Sequence, residues 1–191
     1  MDENRRRLCV EVGGRIDRLA LNKQMHSAQV HEARPGLVGR PGDGLWTEEP
    51  DLPVLAMTAD CLPIALARVD GGRPAVAVLH AGWRGLLAGI VAEGVQALGG
   101  RVQAAVGPAI GPCCYEVGPE VAEPFADAFG SDVVVGRSLD LREAAERALR
   151  AAGVDEVERF GVCTSCNADL FFSHRRTGEP RGVQGVIARV A

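Results

Sequence analysis

Short apolar runs separated by turn residues fill most of the chain. The runs at 52–58 and 62–69 have strand length, and only Ala59, Asp60 and Cys61 separate them. This spacing predicts two buried strands joined by a tight bend or bulge. Further strands are predicted at 74–80, 102–110, 158–163 and 183–190.

Three segments show helical periodicity instead. Residues 86–98 place apolar side chains at helical spacing and end at a pair of glycines, a common C-terminal signal. Helices are also predicted at 119–129 and 140–152, the second with Asp140 as N-cap. The turn-rich stretch 34–44 predicts a surface loop. Alternating helices and buried strands favour a layered α/β or α+β domain.

Composition is that of an ordinary globular domain. The 191 residues are 47% hydrophobic and 24% charged, enough for one core, so a single domain over 1–191 is expected. The net charge of −4 argues against a nucleic-acid partner. No apolar stretch reaches bilayer length and no signal-peptide pattern opens the chain, which predicts a cytoplasmic protein without a membrane partner. The basic run Arg5–Arg7 is interpreted as a solvated, frayed end.

Candidate ligands lie at the ends of apolar runs. His31 and His80 each close such a run, and Cys61 lies at the break between two others. Two histidines and a cysteine, with a fourth position open to water, are typical of a catalytic zinc site. The wide separations fit assembly from different strands. Spacing alone leaves open that each histidine is an ordinary surface or hydrogen-bonded residue.

The other cysteines compete for metal or redox roles. Cys163 and Cys166 form a CxxC motif, typical of half a structural zinc site or of a redox pair. Cys113 and Cys114 are the remaining partners, but adjacent cysteines are strained as joint ligands of one ion. The absence of a signal peptide predicts reduced thiols, and the pattern favours free thiols over a structural zinc.

A set of ordered motifs gives the chain a resemblance to the YfiH family, also called the polyphenol oxidase or laccase-domain family. The motifs are QVH (29–31), DGLWT (43–47), TADCLPI (58–64), HAGWRG (80–85), GPAIGPCCYEVG (107–118) and FFSHRRTGEPRG (171–182). The resemblance implies a layered α/β/β/α fold, similar also to the catalytic domain of cytotoxic necrotizing factor toxins. It implies that His31, Cys61 and His80 hold one zinc ion.

The resemblance also implies a chemistry. Purine nucleoside phosphorylase activity is associated with the family, so the expected partners are adenosine-like nucleosides, including methylthioadenosine, and phosphate. Hydrolytic deamination of adenosine is the other implied reaction, and a zinc ion that lowers the pKa of bound water to about 7 suits it directly.

Other residues of these motifs are candidates for catalysis or substrate binding. Asp60 is interpreted either as a group that orients a ligand histidine or as the cap of the bend. Arg84 and Arg175 are candidates for phosphate or ribose contacts, although the basic turn at His174–Arg176 also fits a solvated surface. Glu116 is either an acid–base group or a surface residue.

Three alternatives stay open at this point. In a metal-free amide hydrolase, Cys61 would be the nucleophile and His80 its base, and the substrate an amide such as a peptidoglycan precursor. A multicopper oxidase needs more than the four histidines present, so copper is not expected. A non-catalytic zinc-binding member is the third alternative. It follows from a departure: relatives carry an N-terminal segment containing Arg-Gly-Gly, which is expected to be missing here before ENRRRL.

Overall fold

A computed structural model describes residues 2–179 and 182–191 as a mixed α/β fold. The strands are β1 (Ala20–Lys23), β2 (Val30–Glu32), β3 (Val38–Pro41), β4 (Gly44–Thr47), β5 (Val54–Thr58), β6 (Leu62–Arg68), β7 (Val76–Ala81), β8 (Val102–Val106), β9 (Val134–Val135), β10 (Ser138–Leu139), β11 (Glu156–Arg159) and β12 (Gln184–Ala188). The helices are α1 (Asp2–Glu11), α2 (Trp83–Leu87), α3 (Ile90–Leu98), α4 (Pro119–Phe129), α5 (Leu141–Ala151) and α6 (His174–Thr177).

Two sheets carry the fold. The larger has the order β11-β8-β6-β7-β4-β2, and the smaller has the order β12-β5-β1-β3. In the larger sheet β6 and β7 run antiparallel at its centre, and β4 runs antiparallel to β7. β9 and β10 form a separate two-stranded ribbon.

The two faces of each sheet pack on different partners. In β5, Val54 and Ala56 pack toward Val78 of the larger sheet, whereas Leu55 faces α1 and lies beside Cys9. This follows the two-residue period of a strand. The opposite face of the larger sheet is covered by α2 to α5. The layers are therefore helix, sheet, sheet, helix, and the expected α/β/β/α architecture is confirmed.

Most predicted elements are present with shifted ends, and the helix predicted over 119–129 is confirmed as α4. Asp140 caps α5, because its Oδ1 accepts bonds from the backbone N–H of Arg142 and Glu143, both at 3.1 Å. The prediction of one helix over 86–98 is wrong. Gly89 adopts a left-handed conformation with φ of 89°, which ends α2 and begins α3.

Two segments predicted to be irregular are ordered. Arg5–Arg7 lie inside α1, where Arg6 and Arg7 pair with Glu3. The loop predicted over 34–44 contains β3, an exposed strand at the edge of the smaller sheet. Neither α1 nor β3 has an apolar pattern in the sequence that would have predicted it. No helix in the described ranges combines the length and apolar character needed to cross a bilayer.

Candidate active site

Three potential metal ligands converge beside the centre of the larger sheet. Cys61 directly precedes β6 and His80 lies near the end of β7, opposite Pro63 on the neighbouring strand. His26 comes from the loop between β1 and β2. The ligand atoms of the three side chains all lie within 4.8 Å of one another. The two imidazole rings meet edge to face, with centroids 4.8 Å apart.

The buried carboxylate of Asp43 holds both histidines in place. Its Oδ1 lies 2.8 Å from Nδ1 of His80, and the same carboxylate accepts the backbone N–H of Met25, His26 and Ser27. The Ser27 hydroxyl donates to it at 2.6 Å. These bonds stabilise the left-handed backbone of His26, whose φ is 62°. Because Nδ1 of His80 faces a carboxylate, Nε2 is left to act as a ligand atom.

His31 does not join this group, which corrects the ligand set expected from the sequence. It lies on β2 opposite Leu45 of β4, and Leu45 lies opposite Val78 of β7. His31 is therefore two strand spacings, about 10 Å, from the strand that carries His80. Its Nε2 is 2.9 Å from the carbonyl oxygen of Pro41. His26 takes the place in the group that the sequence analysis gave to His31.

Asp60 is buried next to Cys61, but its carboxylate faces away from the histidines. Oδ1 accepts the hydroxyl of Thr164 at 2.6 Å, and Oδ2 accepts the Ser173 hydroxyl and the Arg175 backbone N–H. Asp60 thus fastens two later loops to the bend. The structure gives the expected histidine-orienting role to Asp43 instead.

The charges of the group stabilise a thiolate. Burial opposes ionisation of Cys61, but the imidazoles of His26 and His80 outweigh it and lower the pKa of the thiol to about 7. Burial also disfavours the charged form of His80, yet the Asp43 carboxylate and the Cys61 sulfur raise the pKa of this histidine to about 9. The metal-free site therefore favours a thiolate beside an imidazolium at neutral pH.

Alkylation of the metal-free protein tests this electrostatic arrangement. Since only the thiolate reacts, the rate at Cys61 should rise with pH through a midpoint near 7, below the ordinary value of 9. Iodoacetamide labelling followed by peptide mass spectrometry measures this rate. Cys9 is the internal control, because burial raises the pKa of its thiol and it should stay unlabelled. A midpoint near 9 for Cys61 would contradict the arrangement.

Gly82 provides the space that the group occupies. A Cβ atom at this position would lie 2.9 Å from Cδ2 of the His26 ring and 3.0 Å from Sγ of Cys61. Its φ of −80° is accessible to any residue, so only the contact excludes a side chain.

The Gly82→Ala variant should therefore fold but bind metal poorly. The added methyl group displaces His26 or Cys61, and we expect zinc affinity to fall at least tenfold, the lower end of the loss when outer contacts of a metal site are disturbed. Competition with a chromophoric chelator measures the affinity. Gly161→Ala is the control, because a Cβ atom at that position would have no atom of the described residues within 4 Å. Equal affinity in both variants would show that Gly82 does not shape the group.

A cavity of about 730 Å³ opens over the three ligands, within the usual size range of small-molecule sites. Apolar and aromatic walls are supplied by Trp83, Ile110, Tyr115 and Leu141. Lys23 and Arg84 also line it, and the described residues provide no ion-pair partner for either side chain. The Arg84 guanidinium lies 4.2 Å from the centroid of the Trp83 ring.

Arg175 and Glu116 are both bonded to other parts of the protein. Arg175 lines the cavity, but its guanidinium donates to the backbone carbonyls of Cys114 and Glu116 at 3.0 to 3.2 Å. It therefore supports the wall rather than offering a free fork to an anion. The Glu116 side chain is exposed and pairs with Arg137 at 3.0 Å, outside the cavity lining. Pro180 and Arg181 of the same late motif lie outside the described residues.

Sequence reasoning missed His26, Asp43 and Lys23. His26 lies in a loop rather than at the end of an apolar run, so periodicity gave no signal. Asp43 stands between two glycines, Gly42 and Gly44, a context typical of a turn. Its position directly before an apolar run was the available sign that it could reach a buried site.

Comparisons with known proteins agree with this fold. The family model described as multi-copper polyphenol oxidoreductase laccase matches residues 1–190. The crystal structure of YlmD from Geobacillus stearothermophilus superposes with a TM-score of 0.85 at 32% identity, over 100% of this chain and 80% of that one.

Two relatives carry names that describe reactions on nucleosides. A purine nucleoside phosphorylase of Pseudomonas aeruginosa is 38% identical over 188 residues, which span 93% of this chain and 75% of that protein. Adenosine deaminase RL5, from an unknown prokaryotic organism, is 36% identical over 199 residues, or 90% and 73% of the two chains. The ordered motifs, the fold and these matches agree, and the chain belongs to the YfiH family of laccase-domain proteins.

Proposed function

We propose that this protein is a zinc-dependent purine nucleoside phosphorylase that acts on adenosine-like nucleosides. The observation that carries the proposal is the convergence of His26, Cys61 and His80 beneath a cavity to which Lys23 and Arg84 also present positive charge. The names of the relatives support the same class of reaction.

The donor set fits zinc. Two imidazoles and a thiolate are the usual ligands of this ion, and three protein ligands leave a position open for chemistry. A thiol whose pKa lies near 7 loses its proton readily to a metal. When bound, zinc would supply a Lewis acid that faces the cavity. The group contains only two histidines, so this site does not resemble a multicopper site.

The other cavity residues suit the two substrates. Trp83 and Ile110 offer apolar surface to a purine ring, and Lys23 and Arg84 offer positive charge to phosphate. Burial and the nearby Cys61 raise the pKa of Tyr115 to about 12, so its hydroxyl remains a donor at neutral pH.

The reaction proposed for these substrates is a displacement at the ribose. A phosphate oxygen forms a bond to C1′ of the ribose while the C1′–N bond breaks. The base leaves with the bonding electron pair and gains a proton, and ribose 1-phosphate remains.

The test is product analysis of adenosine turnover by the zinc-loaded protein. Adenine and ribose 1-phosphate should appear only when phosphate is present. Inosine formed without phosphate would show that the reaction is deamination rather than phosphorolysis. Deamination is the reaction named for one relative. No turnover of any purine nucleoside by the zinc-loaded protein would overturn the proposal.

Arg84 gives a second, sharper test of phosphate binding. Loss of a charge-assisted hydrogen bond costs about 1.5–3 kcal/mol, so Arg84→Ala should raise the KM for phosphate about 10- to 100-fold. The KM for adenosine should change less. Arg73→Ala is the control, because Arg73 is exposed and pairs with Glu48 instead of lining the cavity. An unchanged phosphate KM would remove Arg84 from the site.

Amide hydrolysis by the metal-free site is a second candidate. One observation favours it: Asp43 orients His80, and His80 faces a thiol with a lowered pKa, the arrangement of a cysteine nucleophile with its base. Zinc separates the two functions. Amide hydrolysis that appears on metal removal and disappears on zinc addition would favour the hydrolase. A thiolate bound to a metal is a weaker nucleophile than a free one.

A further inference from the structure

Four cysteines outside the active site converge on one point. Cys113 and Cys114 lie in the turn after β8, and Cys163 and Cys166 lie in the segment after β11. Their four sulfur atoms are all within 4.8 Å of one another. The Cys166 sulfur is 3.6 Å from that of Cys113 and 3.4 Å from that of Cys114.

These distances fit a shared metal ion. Four thiolates around zinc at about 2.3 Å place neighbouring sulfur atoms about 3.8 Å apart. The separations of 3.4 and 3.6 Å from Cys166 are close to this value. They are far longer than the S–S distance of a disulfide bond, which is about 2.05 Å. All six cysteines of the chain are free thiols.

The surrounding backbone is shaped for the cluster. The N–H of Gly111 donates to the sulfur of Cys163 at 3.2 Å, a bond that favours a thiolate. A Cβ on Gly111 would lie 3.3 Å from Sγ of Cys113 and 2.9 Å from the Arg142 guanidinium. The Arg142 side chain, which is only 14% exposed, thus lies on the same side of Gly111 as the Cys113 sulfur.

The tight turn answers the objection to adjacent ligands. The backbone N–H groups of Cys114 and Tyr115 both donate to the carbonyl of Gly111 at 3.0 Å, which curls this segment into one helical turn. In that turn the neighbouring side chains of Cys113 and Cys114 both reach Cys166. Cys113 and Cys166 are exposed, so an ion can enter from solvent.

We propose that Cys113, Cys114, Cys163 and Cys166 form a closed tetrathiolate zinc site, separate from the active site. Ligation releases the thiol protons and leaves no open position, so the role is structural.

The site would clamp together two segments, one that contributes to the cavity wall and one that holds the buried Asp60. The first segment supplies Tyr115 to the wall. The second carries Thr164, whose hydroxyl binds Asp60 beside Cys61. Two neighbours in α6 brace these segments: Arg175 donates to the Cys114 carbonyl of the first, and Arg176 donates to the Thr164 and Ser165 carbonyls of the second.

Metal counting in matched variants tests this assignment. Because the active-site zinc is itself a proposal, the variants separate the two: the unaltered chain should hold two zinc ions, and Cys61→Ser and Cys166→Ser should each hold one. The double variant should hold none. Ser165→Ala, next to the cluster but without a ligand atom in it, is the control and should hold two. Cys166→Ser should also lower the Tm by several degrees, because it removes a metal that joins two segments.

Other outcomes are equally decisive. A single zinc that disappears in Cys61→Ser would overturn the tetrathiolate site and keep the active-site metal. A single zinc that persists in Cys61→Ser but disappears in Cys166→Ser would do the reverse. Should Cys166→Ser fail to fold, zinc X-ray absorption of Cys61→Ser decides instead: four sulfur neighbours at about 2.3 Å support the site. Nitrogen neighbours, bound iron, or disulfides among these cysteines would refute it.

Discussion

Replacing Asp43 with asparagine is expected to lower both zinc affinity and nucleoside turnover by about 10- to 100-fold, the usual effect of removing an outer partner of a metal ligand. The carboxylate accepts bonds from three consecutive backbone N–H groups, the Ser27 hydroxyl and the His80 ring. An amide has one acceptor oxygen, and its NH₂ group would face these donors. The ring of His80 would lose its fixed orientation, and the loop that presents His26 would lose its anchor.

Calorimetric zinc titration and steady-state kinetics measure the effect of Asp43→Asn. Asp70→Asn is the matched control, because Asp70 also accepts backbone N–H bonds, from Gly72 and Arg101, but lies in an exposed turn away from the site. The His80 pKa should fall in Asp43→Asn, because the carboxylate is the main group that raises it. Zinc affinity equal to that of Asp70→Asn would show that Asp43 is structural only.

The strands could be predicted because burial leaves a direct mark on the sequence. β5, β6 and β7 are almost entirely apolar since both of their faces are covered. Their ends placed Cys61 and His80 correctly beside each other, because β6 and β7 are adjacent and antiparallel. Nothing comparable marks β3, which is exposed along its whole length.

The remaining parts of the site depend on contacts that sequence spacing does not encode. His31 ends an apolar run as His80 does, but the sheet order inserts β4 between their strands. His26 reaches the site through a left-handed backbone that the carboxylate of Asp43 stabilises. Asp60 and Asp43 both stand next to an apolar run, and only the fold shows which of them faces the histidines.

The cysteines show the same limit. Adjacency of Cys113 and Cys114 argues against a shared ion as long as the backbone is unknown. The turn closed by the Gly111 carbonyl removes that objection, and it brings the pair next to a CxxC motif about fifty residues later in the chain. The expectation that adjacent cysteines cannot share an ion therefore fails, because the tertiary structure sets their backbone. The expectation that Asp140 caps a helix holds, because the cap and the helix are neighbours in sequence.

Replacing each of the two candidate histidines with alanine should give the largest difference in zinc affinity between any two variants. His26→Ala removes one of three donors, so we expect zinc affinity to fall by more than the 10- to 100-fold that follows loss of an outer partner, and turnover to fall with it. His31→Ala is the matched control. It removes the same ring from a side chain bonded to the Pro41 carbonyl, and it should bind zinc as the unaltered protein does.

The comparison is informative because the sequence analysis assigned the ligand role to His31, whereas the geometry groups His26 with Cys61 and His80. Zinc affinity of each variant, measured by chelator competition in the Cys166→Ser background, isolates the active-site ion from the tetrathiolate cluster. Loss of zinc in His31→Ala with retention in His26→Ala would mean that the loop bearing His26 moves aside when metal binds. Loss only in His26→Ala would establish that this chain builds its metal centre from a loop histidine, held by Asp43, rather than from the neighbouring strand.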